Sequence, residues 1–263
     1  MDSFNEWIEL EKNDLDELVT AYSFSNDNNN SNNSDDERLK RLVEKGINHF
    51  EEYCKKRGEI IMDQNDIYDA TSFMCPVWGN SFGNAFLWFG GCRPSLFIRL
   101  VYSVGGSEFD QHLSDQLHTR RGGDGIITRG NLADISGQQL HMVNALHCRT
   151  MKEEHKISSK MATLQEQIAD KPLAVIAKNA EPVGEWSEEV ERAMKAHSVS
   201  LGGILAEADR LRLSTFKELM AILTPPQAVD LLIATKKLHI SMREWGKTRD
   251  RRLHLRTITT PTP

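Results

Sequence analysis

The chain has 263 residues, of which 27% are charged and 39% hydrophobic, and its formal net charge is −6 at pH 7. This composition is ordinary for a globular protein with one large domain or two small ones. No uncharged apolar run is long enough to span a membrane, and the acidic N-terminus lacks the apolar segment of a secretory signal. The four cysteines are far apart and form no CxxC pair, which argues against zinc and predicts a reducing compartment.

The charges are unevenly distributed along the chain. Residues 236–256 carry eight basic and two acidic side chains, so this segment is near +6 and the remainder near −12. An acidic body is not typical of a general nucleic-acid-binding protein. The basic patch at the end consists of Lys247, Arg249, Arg251 and Arg252. It has three interpretations: a solvated helix face, a nucleic-acid or nuclear-import patch, and a calmodulin-type target.

Apolar residues recur at helical spacing from the N-terminus onward. They predict an amphipathic helix over 1–22, an Asn- and Ser-rich flexible loop over 23–36, a helical domain over 37–250 and a basic, disordered tail over 251–263. One face of the first helix carries Phe4, Trp7, Ile8 and Leu15. These side chains either dock on the body or anchor a partner, because exposed aromatic residues are common binding hot spots.

The later helices show the same spacing. They are predicted over residues 36–62, 107–119, 134–169, 187–222 and 225–250. No segment alternates convincingly like a strand, so the predicted fold class is all-α: a bundle of long antiparallel helices with a short-helix N-terminal half and no significant sheet. A dimeric coiled coil uses similar spacing, but Thr150 and Glu154 would lie in its seam, which favours packing within one chain.

The most apolar stretch is LWFGGCRPSLFIRLVYSV, residues 87–104. We predict helical pieces over 87–89 and 96–104, separated by a break at Gly90-Gly91, with Pro94 at the start of the second piece. A short helix capped by Asn80 or Ser81 is expected to end near the glycines. We interpret the two arginines of the stretch, Arg93 and Arg99, as hydrogen-bonding residues at the edge of the core.

No pattern in the chain predicts catalysis. It contains no P-loop, GxGxxG, GxSxG or HExxH motif and no paired nucleophile and base, so we expect no catalytic residues, no metal site and no enzyme. The one candidate haem ligand is His239, near Met242 in the last helix. Its alternative role is that of a histidine at the surface or at the edge of the core.

Taken together, several motifs resemble the seed dormancy control domain of plants, which occurs in Delay of Germination proteins and in TGA-type bZIP transcription factors. The resemblance covers nearly the whole chain, from FxxW at Phe4 to LHISMREWGKTRDRR at 238–252. Its most specific signature residues are Trp78, Trp88, Gly90, Gly91, Arg93, Pro94, Arg99 and Tyr102. Neither a dense basic region nor a leucine zipper precedes them, so the chain resembles the Delay of Germination branch more than the TGA factors.

The resemblance implies a non-enzymatic regulator of seed dormancy and germination in abscisic acid signalling, located in the nucleus and cytoplasm. Such a protein binds clade-A type 2C protein phosphatases, here through Phe4, Trp7, Ile8 and Leu15. One alternative is transcription regulation, by sequence-specific DNA binding or as a cofactor of bZIP factors. Self-association is a further expected interaction.

The other alternative is a helical module that binds haem or a lipid. Haem in the dormancy branch is associated with a His-x-x-x-His pair. This sequence keeps His239 but has Arg243 at the second position, and arginine cannot ligate iron. We therefore expect no cofactor, and a site with one histidine stays as the alternative.

Overall fold

The structure is a computed structural model that describes residues 2–27, 33–62, 70–106 and 131–259. The helices within these ranges are α1 (Asp2–Asp27), α2 (Asn33–Met62), α3 (Ala70–Met74), α4 (Ser81–Ala85), α5 (helical over 95–106), α6 (Gly137–Glu166), α7 (Leu173–Asn179), α8 (Glu188–Ile222) and α9 (Pro225–Thr259). Short 3₁₀ turns span Leu132–Asp134 and Gln167–Ala169. In these ranges the only β pairing is an isolated bridge, so the all-α prediction is confirmed.

The starts of the long helices follow their capping residues. The Ser187 side chain accepts a hydrogen bond from the Val190 amide, and acidic residues fill the first turn of α8. Ser136 and Gln139 form a reciprocal capping box at the start of α6. α9 begins at Pro225, where a missing N–H has no cost. The predicted starts of α8 and α9 are therefore confirmed.

Two predicted boundaries are wrong. The Asn- and Ser-rich loop was expected over 23–36, but α1 continues to Asp27 and α2 begins at Asn33, with Asp35 and Asp36 stabilising its first turn. The tail expected to be disordered from 251 is helical to Thr259, because arginine and leucine are good helix formers and no proline lies between Pro226 and Pro261. The predicted helix over 107–119 lies outside the described residues.

The apolar core consists of two clusters along α8. The larger cluster joins α1, α2, α5, α9 and the first part of α6 to the C-terminal part of α8, around Phe216 and Leu219. The smaller cluster joins α3 and α6 to the preceding part of α8, around Leu205 and Ala208. α6 and α8 run antiparallel through both clusters, as the Thr150–Thr215 and Lys160–Glu207 contacts show. The seam predicted from the 3–4 spacing is thus within one chain.

A layer of buried polar side chains separates the two clusters. Its centre is the arginine hub, which we define as Arg57 on α2 with Asp209 and Arg212 on α8. Arg57 Nε donates to Asp209 Oδ2 at 2.9 Å, and Arg212 Nη1 donates to Asp209 Oδ1 at 2.6 Å. Burial opposes the charge on Arg57, but Asp209 raises the pKa of Arg57, whereas burial and the neighbouring Arg57 lower the pKa of Arg212.

The remaining donors of the hub bind the backbone of residues 88–92, within the apolar stretch that carries the family signature. Arg212 Nε donates to the Cys92 carbonyl at 2.6 Å, and Arg212 Nη2 donates to the carbonyls of Trp88 and Phe89. The Gly90 carbonyl accepts from Arg57 Nη1. Four carbonyls of one short segment are therefore satisfied by two buried guanidinium groups, as buried polar groups require.

Residues 88–91 form a tight turn instead of the predicted helical piece over 87–89. The amide of Trp88 donates to the Gly91 carbonyl at 2.7 Å, and φ is +48° at Phe89 and +67° at Gly90. Two central residues with positive φ are typical of a type I′ turn, which a right-handed helix cannot contain. The helix capped by Asn80 ends at Ala85, well before the glycines.

Residues 93–102, which follow this turn, form hydrogen bonds with α6. The fully buried Glu154 carboxylate accepts hydrogen bonds from Arg93 Nε at 2.6 Å and from the Ser95 amide at 2.7 Å. Pro94 directly precedes α5, as predicted, and the Tyr102 hydroxyl donates to Asn144 at 2.6 Å. Arg93 thus lies at the core edge, as expected.

The corresponding expectation for Arg99 is wrong. The Arg99 side chain is exposed, and the buried apolar side chains of α5 lie on other faces of the helix. Those apolar side chains are Phe97, Ile98 and Val101.

Candidate functional site

The N-terminal helix is docked on the body through its aromatic face. Trp7 is 9% exposed and stacks on Tyr53 of α2, with ring centroids 4.5 Å apart and an interplanar angle of 24°. Phe4 is half-buried, 6.4 Å from the Trp78 ring, and the Arg243 guanidinium lies 4.9 Å from its centroid. Of the two interpretations of this helix, the structure shows the docked one.

The other two predicted partner-binding residues also face inward. Ile8 is buried, and Leu15 packs against the larger apolar cluster. The structure therefore brings all four predicted residues to the inner face of α1. The outer face is acidic and carries the exposed side chains of Glu6, Glu9, Asp16 and Glu17.

Buried charges reinforce this docking. Lys236 of α9 is 4% exposed, and its ammonium group donates to Glu11 at 2.6 Å and to Asp14 at 3.1 Å. His239 Nδ1 lies 3.3 Å from the second Glu11 oxygen, and His49 Nδ1 lies 2.9 Å from Asp14. We call these five residues the polar latch. It holds α1 to both α2 and α9, because each of its carboxylates has partners on another helix.

The polar latch predicts a dependence of stability on pH. Burial alone would raise the pKa of Glu11, but the hydrogen bond with His239 and the charge of Lys236 lower it overall, below the usual 4.5. A lowered folded pKa contributes stability above the unfolded pKa, and this stability is lost as pH falls through the folded value. We expect Glu11→Gln to flatten the fall in the free energy of unfolding below about pH 4.5, as measured by urea denaturation at several pH values. An unchanged slope would contradict this role.

His239 has no second histidine one helical turn away on either side. Its Nδ1 faces Glu11, and the side chain one turn further on is Arg243, which lies over Phe4 and cannot ligate iron. No group of three or more histidine, cysteine or acidic side chains that could hold a metal ion occurs within the described residues. None of the described helices is long and apolar enough to cross a membrane.

The basic patch lies on the last part of α9, beside α4. Lys247 pairs with Glu244 at 2.8 Å, and the Arg249 guanidinium lies 5.5 Å from the Phe82 ring centroid. Arg251 donates to the Lys247 carbonyl and to the Thr248 hydroxyl. Arg252 borders a surface groove with Trp245 and Leu253. The patch is thus an exposed helix face, separate from the inner face of α1.

Comparisons with known proteins establish the family. The model of the seed dormancy control family matches residues 14–103. Over 266 residues, covering 95% of this chain and 90% of the relative, the chain is 38% identical to Protein DOG1-like 1 of Arabidopsis thaliana. The chain belongs to the seed dormancy control family. A second family member, Protein DOG1-like 3 of the same plant, is 36% identical over 82% of this chain and 74% of its own length.

Similarity beyond these members of the seed dormancy control family is weaker. Transcription factor TGA5 of Arabidopsis thaliana is 24% identical over 79% of this chain and 54% of its own length. This similarity confirms that the domain is shared with TGA factors, as the motifs suggested.

The polar latch and the arginine hub were both missed at the sequence level. Glu11 and Asp14 lie on the apolar stripe of the first helix, and Lys236 lies among the apolar residues of the last. A charge within an apolar stripe is the signal that predicts a buried ion pair, since buried charges need partners. Which charges pair cannot be deduced from that signal, because Lys236 is 225 residues from Glu11 and Asp209 is 152 residues from Arg57.

Proposed function

We propose that this protein is a non-enzymatic regulator of seed dormancy or germination in abscisic acid signalling, and that it acts by binding clade-A type 2C protein phosphatases in the nucleus and cytoplasm. The observation that carries this proposal is its family membership over nearly the full chain. Support for the signalling context comes from Protein RESPONSE TO ABA AND SALT 1 of Arabidopsis thaliana, which is 25% identical over 92% of this chain.

The proposed contact consists of Phe4, Trp7, Ile8 and Leu15, which lie on the inner face of α1. A phosphatase can reach these side chains only after α1 undocks from α2 and α9. We therefore propose that the docked form is closed and that the phosphatase captures the undocked helix. Under this mechanism the apparent affinity falls with the fraction of molecules in which α1 is free.

Two substitutions separate this mechanism from binding to the docked form. Lys236→Met leaves Glu11 and Asp14 buried without their ammonium partner, which destabilises docking while the sequence of α1 stays intact. We expect it to raise capture of a purified clade-A phosphatase at least about fivefold, whereas Trp7→Ala should abolish capture. Pull-down and calorimetric titration with the full chain measure both effects.

The neighbouring residue provides a matched control. Lys237 is exposed, so Lys237→Met changes the same charge without touching the polar latch, and capture should stay at the wild-type value. Weaker capture by Lys236→Met would mean that the docked helix is the binding form. A wild-type chain and a Lys236→Met variant that both fail to bind any clade-A phosphatase would refute the proposed function itself.

The TGA similarity and the exposed arginines favour a second candidate, transcription regulation. The chain would then contact DNA directly or act as a cofactor of bZIP factors. Direct binding should weaken steeply with rising salt concentration and should require Arg249, Arg251 and Arg252.

A further inference from the structure

The last part of α9 carries an apolar groove between arginines. Trp245, Thr248, Arg249, Arg252 and Leu253 line it, and its volume is about 580 Å³. Trp245 is 61% exposed and Leu253 is 46% exposed. These five residues follow one face of the helix over two turns, so the groove is continuous along the axis.

The opposite side of this part of α9 is fixed to the body. Gly246 is buried against Asn80, and a side chain at this position would collide with the Asn80 amide. Asp250 accepts hydrogen bonds from the amide and the hydroxyl of Ser81, at 3.0 and 2.7 Å. Because α4 holds this side, α9 cannot rotate to bury Trp245, and the groove faces solvent.

The positive charge of the groove is also not compensated by any of the described carboxylates. The nearby carboxylates are engaged elsewhere, since Glu244 pairs with Lys247 and Asp250 binds Ser81. Neither Arg249 nor Arg252 forms an ion pair with any described residue. The two guanidinium groups are thus available to carboxylates from outside.

Aromatic surface extends the groove toward α4. Arg249 lies over the Phe82 ring, which contacts Phe86 at a centroid distance of 5.0 Å, and Phe86 is 61% exposed. Tryptophan, phenylalanine and arginine are the residue types enriched at protein interfaces and their hot spots. An apolar channel along a helix with flanking charges suits an amphipathic helix, whose anchors recur about every turn.

We propose that this groove is a docking site for an acidic amphipathic helix of a partner protein. Apolar side chains of that helix pack against Trp245 and Leu253, and its carboxylates bind Arg249 and Arg252. The site is independent of phosphatase binding through α1, because none of its residues belongs to the polar latch or to the inner face of α1.

Charge and shape favour an acidic helix over a nucleic acid. The outer face of α1 is acidic, and the chain outside 236–256 is near −12, so a long polyanion that extends beyond the groove meets repulsion. A short helix presents its charges only to the arginines. The exposed indole and leucine also require an apolar counterpart, which a peptide side chain supplies and a phosphate backbone does not.

The test uses the full chain and a defined probe. The probe is a fluorescein-labelled helical peptide of about four turns, with a leucine stripe on one face and glutamate elsewhere. One matched peptide replaces every glutamate by glutamine, and another replaces every leucine by alanine. We expect the probe to bind saturably, as measured by fluorescence anisotropy, and each matched peptide to bind at least about tenfold more weakly.

Variants locate the binding on the protein. Trp245→Ala and Arg252→Glu should each weaken binding of the probe at least about tenfold. The matched controls are Trp186→Ala, which removes a 66% exposed indole at another site, and Arg192→Glu, an exposed position in the acidic first part of α8. Both controls should bind the probe like the wild type.

Several results would overturn the docking site. Equal binding by all four variants, or no saturable binding, would exclude the groove. Equal binding of the leucine and alanine peptides would reduce the effect to general charge attraction. A DNA duplex that displaces the probe and binds more tightly would assign the face to nucleic acid. A dimer that forms through this face and excludes the probe, detected by sedimentation, would assign it to a second copy of the chain.

Discussion

Asp209→Ala is expected to lower the free energy of unfolding by about 3–5 kcal/mol, because it leaves buried charges without their partner. Arg57 and Arg212 are 4% and 2% exposed, and Asp209 is the carboxylate that both of them bind. Without it, two guanidinium groups would face each other in a layer that excludes water. The four carbonyls of the 88–92 segment would lose the orientation of their donors at the same time.

Urea denaturation followed by circular dichroism measures this loss. The matched control is Glu207→Ala, two residues earlier on the same helix, where the Glu207 side chain is 33% exposed and pairs with Lys160 at 2.7 Å. Exposed pairs of this kind contribute at most about 1 kcal/mol, so the control should stay close to wild type. Similar losses in the free energy of unfolding for the two variants would show that the arginine hub contributes no more to stability than an exposed ion pair.

Gly90→Ala is expected to cost roughly 2–4 kcal/mol, from backbone strain and steric overlap together. The φ of Gly90 is +67°, a region that residues with a side chain rarely adopt. A Cβ at this position would lie 2.8 Å from the Phe73 carbonyl oxygen, which belongs to backbone and cannot turn away. The overlap would push the turn away from α3 and from the Arg57 guanidinium.

A second glycine provides a control of opposite sign. Gly203 lies within α8, and a Cβ at that position would meet nothing within 4 Å. Gly203→Ala should therefore stabilise the protein by about 0.5–1 kcal/mol through helix propensity. Thermal denaturation of both variants checks the pair of predictions, and a stabilising Gly90→Ala would contradict the assigned turn geometry.

Local signals were sufficient for most of the helices. Ser187 followed by acidic residues, and Thr224 followed by two prolines, predict the starts of α8 and α9, because capping depends on a few neighbouring residues. The turn at 88–91 was beyond such reasoning. Phe89 is not a typical turn residue, and its positive φ is maintained by arginines that lie more than thirty residues before it and more than a hundred after it.

The candidate sites, too, were predictable from the sequence only in part. The apolar face of α1 was predictable from spacing, but the pattern of Phe4 and Trp7 is the same whether they contact the body or a partner. Only the positions of Tyr53 and Trp78 show which surface they cover. The groove beside Trp245 was not predicted as a site, because helical spacing alone does not indicate that α4 covers one side of α9 and leaves the other open.

The arginine hub also limits how the length of this protein can change. Asp209 and Arg212 must point at Arg57 and at the 88–92 carbonyls while the apolar residues on either side of them keep their own clusters. One residue inserted into α8 just before Asp209 would turn everything beyond it by about 100° and shift it by about 1.5 Å. The residues on the two sides of the insertion could then no longer pack into their own apolar clusters at the same time. Insertions and deletions in relatives should therefore avoid the middle of α8 and collect in the connections between helices.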